Sequence, residues 1–275
     1  MPMKVESTDS TNNLLKQLIA EGNPPDYVYA DFQTEGRGQT GNTWESEAGK
    51  NLLCSVLLEP DDEPFYLTVA VSVALHQVIA DIIEQEGRAS KNEIISLFSN
   101  DFYGLASYRL TIKWPNDIYY ENRKLAGVLI ESGIYGNRMD YAIAGIGLNV
   151  NQTRWRSAPN PTSLKSACKS TFSVEKNFDI DQIMEKLNEE IRAVLQLPRR
   201  GVWDYYMTHL FRGGDGPWPF VERTVDMAPT MNAPKGTKGT FKAWIVDVKH
   251  DGRLALQDEE GEIRLYHFKQ IRYVL

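Results

Sequence analysis

The chain has 275 residues, 42% of them hydrophobic and 24% charged, enough to bury a full core and to form one large domain plus a small one. A net charge of −7 argues against a dedicated nucleic-acid binder, which ordinarily shows a basic face. Two distant cysteines, Cys54 and Cys168, match no zinc or redox spacing, and Cys54 reads as a small buried hydrophobe.

MPMKVESTDS lacks the apolar core of a signal peptide, and no apolar run reads as long enough to span a bilayer, so a cytoplasmic location is expected. Ser10 and Thr11 precede Leu14, Leu15, Leu18 and Ile19 at helical spacing, with Gly22 closing a helix of about three turns. Taken alone, Ser10, Thr11 and Asn12 are explained by capping. Tyr27 to Phe32 predicts a strand. Gln33 to Trp44, QTEGRGQTGNTW, carries Gly36, Gly38 and Gly41 around Arg37, which neither a stable helix nor a packed strand tolerates. Such a loop can wrap backbone N–H groups around an anion while the guanidinium adds bidentate recognition, although a plain surface loop has the same composition. It matches neither a P-loop nor a dinucleotide fingerprint.

Asn51 to Glu59 predicts a central strand covered on both faces, and Tyr66 to Glu86 the longest core helix. His76 is a helix-face residue, with no partner at metal spacing. Gly87 to Tyr108 reads as an excursion with a short helix at Glu93 to Phe98. Next comes Thr111 to Ser132, TIKWPNDIYYENRKLAGVLIES. Pro115 stops ladder pairing, Asn116 and Asp117 follow at the break, and a hairpin turns at Glu121-Asn122-Arg123. Lys113, Lys124 and Asp117 are thus offered on a β platform, and Gly127 marks a backbone that something approaches closely. Tyr141 to Val150 is a further buried strand with Gly145, Gly147 and a polar tip at Asn149. Phe178 to Leu197 and Trp203 to Phe211 read as helices. Arg212 to Pro219 is a linker, and the short runs Thr240–Val248, Leu254–Gln257, Ile263–Phe268 and Ile271–Leu275 predict a small all-β barrel. The division expected is 1–213 and 214–275.

Taken together, GRGQTGNTW, KWPNDIYYENRKLAG and GIGLNVN resemble the catalytic module of biotin protein ligases, with DSTN, PTSL and the tail YHFKQIRYVL in support. The resemblance runs in order over nearly the whole chain. It implies an α+β fold, a central mixed sheet flanked by helices as in biotin/lipoate ligases and class II synthetases, with a C-terminal SH3-like β-barrel. It implies a ligase (biotin–[acetyl-CoA-carboxylase] ligase) that joins biotin and ATP into biotinyl-5′-AMP with Mg²⁺, then passes biotin to a lysine of a biotin carboxyl carrier domain. By this resemblance, Ser10, Thr11, Asn12, Gln33, Gly36, Arg37, Gly38, Gln39, Lys124, Gly127 and Gly147 would hold biotin. Arg37, Trp44, Lys113, Asn116, Asp117, Lys124 and Asn149 would hold the nucleotide. Arg37 and Lys124 would act on the phosphate, Asp117 is the candidate base, and the resemblance identifies no metal ligands.

The sequence departs from the family at Gln39, Thr40 and Asn42, where an arginine-richer loop is usual. The chain also starts directly at the catalytic module, so the resemblance implies no N-terminal DNA-binding domain and no repressor role, and it is compatible with a homodimer. Two alternatives stand beside it. Lipoate ligases and lipoyl or octanoyl transferases share the general fold without the paired glycine-loop and KWPND motifs. A non-catalytic biotin sensor would not need the phosphate-facing cations.

Overall fold

The computed structural model describes residues 2–38, 41–89, 109–135, 138–214, 216–222 and 240–274. Strands β1 (Met3–Thr8), β2 (Tyr27–Gln33), β3 (Leu52–Leu58), β4 (Leu110–Lys113), β5 (Asp117–Tyr120), β6 (Arg123–Tyr135) and β7 (Arg138–Leu148) form one mixed sheet. Its order is β1-β2-β3-β7-β6-β5-β4, with β1 parallel to β2 and the remaining pairs antiparallel. The nearly unbroken apolar run of β3 fits its place inside this sheet, where both faces are covered.

The two faces carry different helices. α1 (Thr11–Ala20) buries Leu15 against Val28 and Ile143. Their strand neighbours Tyr27, Ala142 and Ala144 belong to the main core, because successive strand residues point to opposite faces. That second face is covered by α2 (Pro64–Ala89), packed in turn against α3 (Leu164–Phe172), α4 (Ile180–Gln196) and α5 (Arg199–Thr208). Against the expectation from sequence, α2 is by length and composition apolar enough to cross a bilayer. Most of that window is buried within the fold, so its apolarity reflects contact with the sheet on one side and with helices on the other. His76 sits on it as a buried core residue, bonded to the Leu110 carbonyl and the Tyr205 hydroxyl, and burial pushes its imidazole down to about 4.

Sequence periodicity gave no sign of β1 or α3. The proposed helix at Glu93 to Phe98, with most of the excursion around it, lies outside the described residues. Strands β8 (Trp218–Glu222), β9 (Thr240–Val248), β10 (Leu254–Asp258), β11 (Ile263–Tyr266) and β12 (Ile271–Tyr273) form a second, antiparallel sheet ordered β11-β10-β9-β8-β12. It corresponds to the expected SH3-like element, although among the described residues β11 and β12 do not pair to close a barrel. β8 begins inside the stretch expected to be linker. The small sheet docks on the KWPND break: Trp114 donates its indole N–H to the Gly252 carbonyl at 3.0 Å and meets the Phe268 ring edge-on at 5.9 Å.

Candidate active site

On the face that holds α1, the sheet residues beyond the helix become small. Gly145 and Gly147 on β7 and Gly127 on β6 leave space that larger side chains would fill, and a cavity of about 120 Å³ opens there. One water needs only about 15 Å³, so the space suits an organic ligand.

At one end lie neutral polar groups from the start of α1. Ser10 occupies the N-cap position, yet its side chain makes no capping bond, and it lines the cavity with Thr11 and Asn12. Capping therefore does not account for these residues. Gln33 at the end of β2 accepts from the Thr11 N–H at 2.7 Å, and its Oε1 lies 3.0 Å from the Thr11 hydroxyl. The Asn12 carboxamide lies flat over Gly145, where a Cβ would fall 2.4 Å from its Oδ1. It bridges Ser55, whose hydroxyl lies 2.5 Å from Oδ1, and Glu131 of β6, which accepts from Nδ2 at 2.5 Å. Burial pushes the Glu131 carboxyl up, but the bonds from Asn12 and Lys16 and the charges of Lys16 and Arg37 outweigh this and hold it below the usual range.

The other end is cationic. The Gly36–Trp44 segment folds back on itself: Gly38 N–H bonds to the Asn42 carbonyl and Trp44 N–H to the Gly36 carbonyl. This brings Arg37 to the cavity, where its guanidinium donates to Asn13. Trp44 then lays its ring on Gly147, where a Cβ would fall 2.5 Å from it. Lys124 pairs with Asp117 at 2.7 Å, both partly exposed, and its ammonium stands 5.6 Å from the centre of the Trp44 ring. These two side chains are what approaches Gly127. Backbone bonds from Lys124 N–H to the Asn160 carbonyl and from Thr162 N–H to the Lys124 carbonyl fix the strand that presents the ammonium. Asn116 lines the cavity beside Asp117, its side chain donating to the Val128 carbonyl.

Not every expected residue arrives. The Lys113 ammonium bonds to the Tyr119 hydroxyl at 3.0 Å and lies 5.1 Å from the centre of the Tyr273 ring, and Lys113 is absent from the cavity wall. Lys113 shares a sheet face with its register partner Asp117, but Tyr119 and Tyr273 engage its ammonium away from the wall. Asn149 is buried outside the wall and donates to the Thr162 carbonyl, bracing the Pro161–Leu164 turn. Gly36 is also off the wall and serves the fold-back of the loop, while Gln39 lies outside the described residues. Sequence reasoning missed Glu131 and Phe268 on the wall, Ser55 buried behind it against Asn12 and Thr11, and Asn13 and Lys16, which hold Arg37 and Glu131. A serine inside the apolar run of β3 was the one readable signal among them.

The family model described as "Biotin/lipoate A/B protein ligase family" matches residues 4–149. The chain is similar to the bifunctional ligase/repressor BirA of Bacillus spizizenii, at 29% identity over 90% of this chain and 67% of that protein. It is also similar to the biotin–[acetyl-CoA-carboxylase] ligase of Mycobacterium tuberculosis, at 30% identity over 58% of this chain and 53% of that protein. The chain thus spans between about half and two thirds of these relatives. Among solved structures, the biotin protein ligase of Aquifex aeolicus in complex with biotin and ATP superposes with a TM-score of 0.65 at 21% identity, covering 99% of both chains.

Proposed function

Since the chain belongs to the biotin/lipoate A/B protein ligase family, we propose that it is an ATP-dependent biotin protein ligase. It activates biotin as biotinyl-5′-AMP with release of pyrophosphate, then transfers the acyl group to a lysine of a biotin carboxyl carrier domain with release of AMP. The observation that carries this reading is the meeting, in one cavity, of a hydrogen-bonding end built from Ser10, Thr11, Asn12 and Gln33 and an end that presents Arg37 and Lys124. Ser10, Thr11, Asn12 and Gln33 bond the head group, and Arg37 and Lys124 face the carboxylate and the α-phosphate. Attack of a carboxylate oxygen on phosphorus joins two anions, so fixed cations aimed at the reacting oxygens lower the barrier. No side-chain nucleophile is required.

Lys124 rests on Asp117 until a phosphate replaces that carboxylate. Asp117, released, is then placed to take the proton from the incoming lysine. Trp44, over Gly147, and the glycine loop keep water from the mixed anhydride. Among the described residues no group of three His, Cys, Asp or Glu side chains forms a cation cage. A magnesium ion bound with ATP would have Asp117 as its nearby carboxylate and would supply charge neutralisation at the phosphates. We also propose residues 1–213 and 214–275 as two domains, supported by each sheet drawing its strands from one side of that boundary. A cytoplasmic location, and the absence of a DNA or membrane partner, remain part of the same proposal.

Incubation with MgATP and labelled pyrophosphate tests the reading. Biotin should support exchange of label into ATP and lipoate should not, and a carrier domain should become labelled when biotin carries the label. Exchange with lipoate alone would transfer the chain to the lipoate branch, and biotin binding without ATP turnover would make it a sensor.

A further inference from the structure

The mechanism above leaves one partly buried carboxylate of the cavity wall unused. Glu131 makes two contacts there, the Asn12 Nδ2 at 2.5 Å and the Lys16 ammonium at 3.1 Å. Beyond Asn12 the bonds continue: Ser55 Oγ lies 2.5 Å from Asn12 Oδ1 and 2.8 Å from Thr11 Oγ1, and Thr11 binds Gln33. Ser55 is fully buried and Thr11 and Asn12 nearly so, which makes the direction of each proton in this chain consequential.

That direction follows from Glu131. An ionised carboxylate only accepts, so Asn12 turns its NH₂ toward Glu131 and its oxygen toward Ser55. Ser55 has a single proton and gives it to that oxygen. The same proton is shared with Thr11 Oγ1 at 2.8 Å, which leaves the Thr11 hydroxyl to donate onward to Gln33 Oε1 at 3.0 Å. Gln33 Oε1 therefore accepts from both the Thr11 backbone N–H and the Thr11 hydroxyl. One charge at the end of the chain thus decides which atoms of the head-group end donate and which accept.

We propose that Glu131, braced by Lys16, is a positioning residue that sets the donor and acceptor polarity of the head-group end through Asn12. The proposal rests on the biotin reading. A head group with both N–H donors and a carbonyl acceptor, as in biotin, is then accepted in a single orientation. A site committed in this way rejects mismatched partners more strongly than an apolar pocket of the same shape.

The variant Glu131→Gln keeps the volume but can donate or accept, so the polarity is no longer fixed. Biotin-dependent pyrophosphate exchange should show a KM for biotin raised roughly tenfold, as for one charge-assisted bond in ten-to-one arithmetic. The KM for ATP, kcat at saturating biotin and the melting midpoint should stay near wild type. Adding Asn12→Asp to Glu131→Gln restores an acceptor-only group facing Ser55 and should bring the KM for biotin back most of the way. An unchanged KM in the single variant overturns the inference, as does a joint fall of stability and kcat that the second substitution does not rescue. If the wild-type protein shows no exchange with biotin at all, the functional reading fails first and the inference with it.

Discussion

Thr11, Asn12, Gln33 and Ser55 meet in a closed, buried network at one end of the cavity, whereas Arg37 and Lys124 at the other end rest on partly exposed partners. Ordering the first set was completed on folding, so a ligand there is selected by matching fixed atoms. A partly exposed ion pair such as Lys124–Asp117 is worth only about 0–1 kcal/mol, so exchanging the carboxylate for a phosphate costs little. One half of the molecule chooses by shape and bond direction and the other yields to charge.

The largest expected effect lies in the yielding half. Lys124→Ala should reduce biotin-dependent pyrophosphate exchange by roughly 10²- to 10³-fold, the scale of losing one donor aimed at developing charge. The unfolding midpoint should change little, because the ammonium lies outside the core. Turnover within tenfold of wild type would remove Lys124 from the chemistry and leave it a counter-ion.

The rigid half should respond to a single methyl group. A Cβ at position 145 would lie 2.4 Å from Asn12 Oδ1, wedged between Ser55 and Glu131. Overpacking of this kind costs about 1–3 kcal/mol, so Gly145→Ala should raise the KM for biotin between several-fold and a hundredfold. Gly127→Ala places its methyl 3.1–3.2 Å from the tips of Asp117 and Lys124, which can swing aside, and its effect should be much smaller. Equal sensitivity at the two glycines would erase the contrast between the halves.

What the sequence made legible divides along the same line. The glycine loop, KWPND and RKLAG announced the charged end, because glycines around an arginine and a proline-broken strand are local events. Most of the core elements were equally readable, as apolar periodicity fixed β3, α2 and α4 to within a few residues. The partners Ser55 and Glu131 were not, since only the register of β3, β7 and β6 brings residues 55, 145 and 131 around Asn12. Lys113 was misread because it shares a face with Asp117 by register, while its ammonium is taken up by Tyr119 and Tyr273, which sequence spacing does not announce. β1 was invisible because an exposed edge strand with Lys4 and Glu6 carries no apolar alternation.

The small sheet offers a milder probe of the charged end. Phe268, 40% exposed, reaches the cavity wall beside Trp114, and the sequence assigned it no role. An aromatic contact of about 0.5–1.5 kcal/mol corresponds to roughly two- to tenfold in affinity. Phe268→Ala should raise the KM for ATP by that factor and leave the KM for biotin unchanged. A rise for biotin instead would place this ring at the wrong end.

The smallest effect concerns how Trp44 is held. Its neighbour Glu45 accepts from the N–H groups of Arg156, Ser157 and Ala158 at 2.6–2.9 Å and from the Ser157 hydroxyl at 2.8 Å. Burial pushes this carboxyl up, but those bonds prevail and bring it from the usual 4.5 to about 2. A carboxyl depressed on folding stabilises fully above its unfolded value and loses that contribution as pH falls toward its folded one. The full linkage value must be discounted because solvent screens the group, which leaves about 1 kcal/mol. Glu45→Gln should therefore lower the urea midpoint at pH 7, and the gap to wild type should narrow between pH 4.5 and 2. A gap that persists undiminished at the acid end would mean that Glu45 holds the 156–158 turn by shape rather than by its charge.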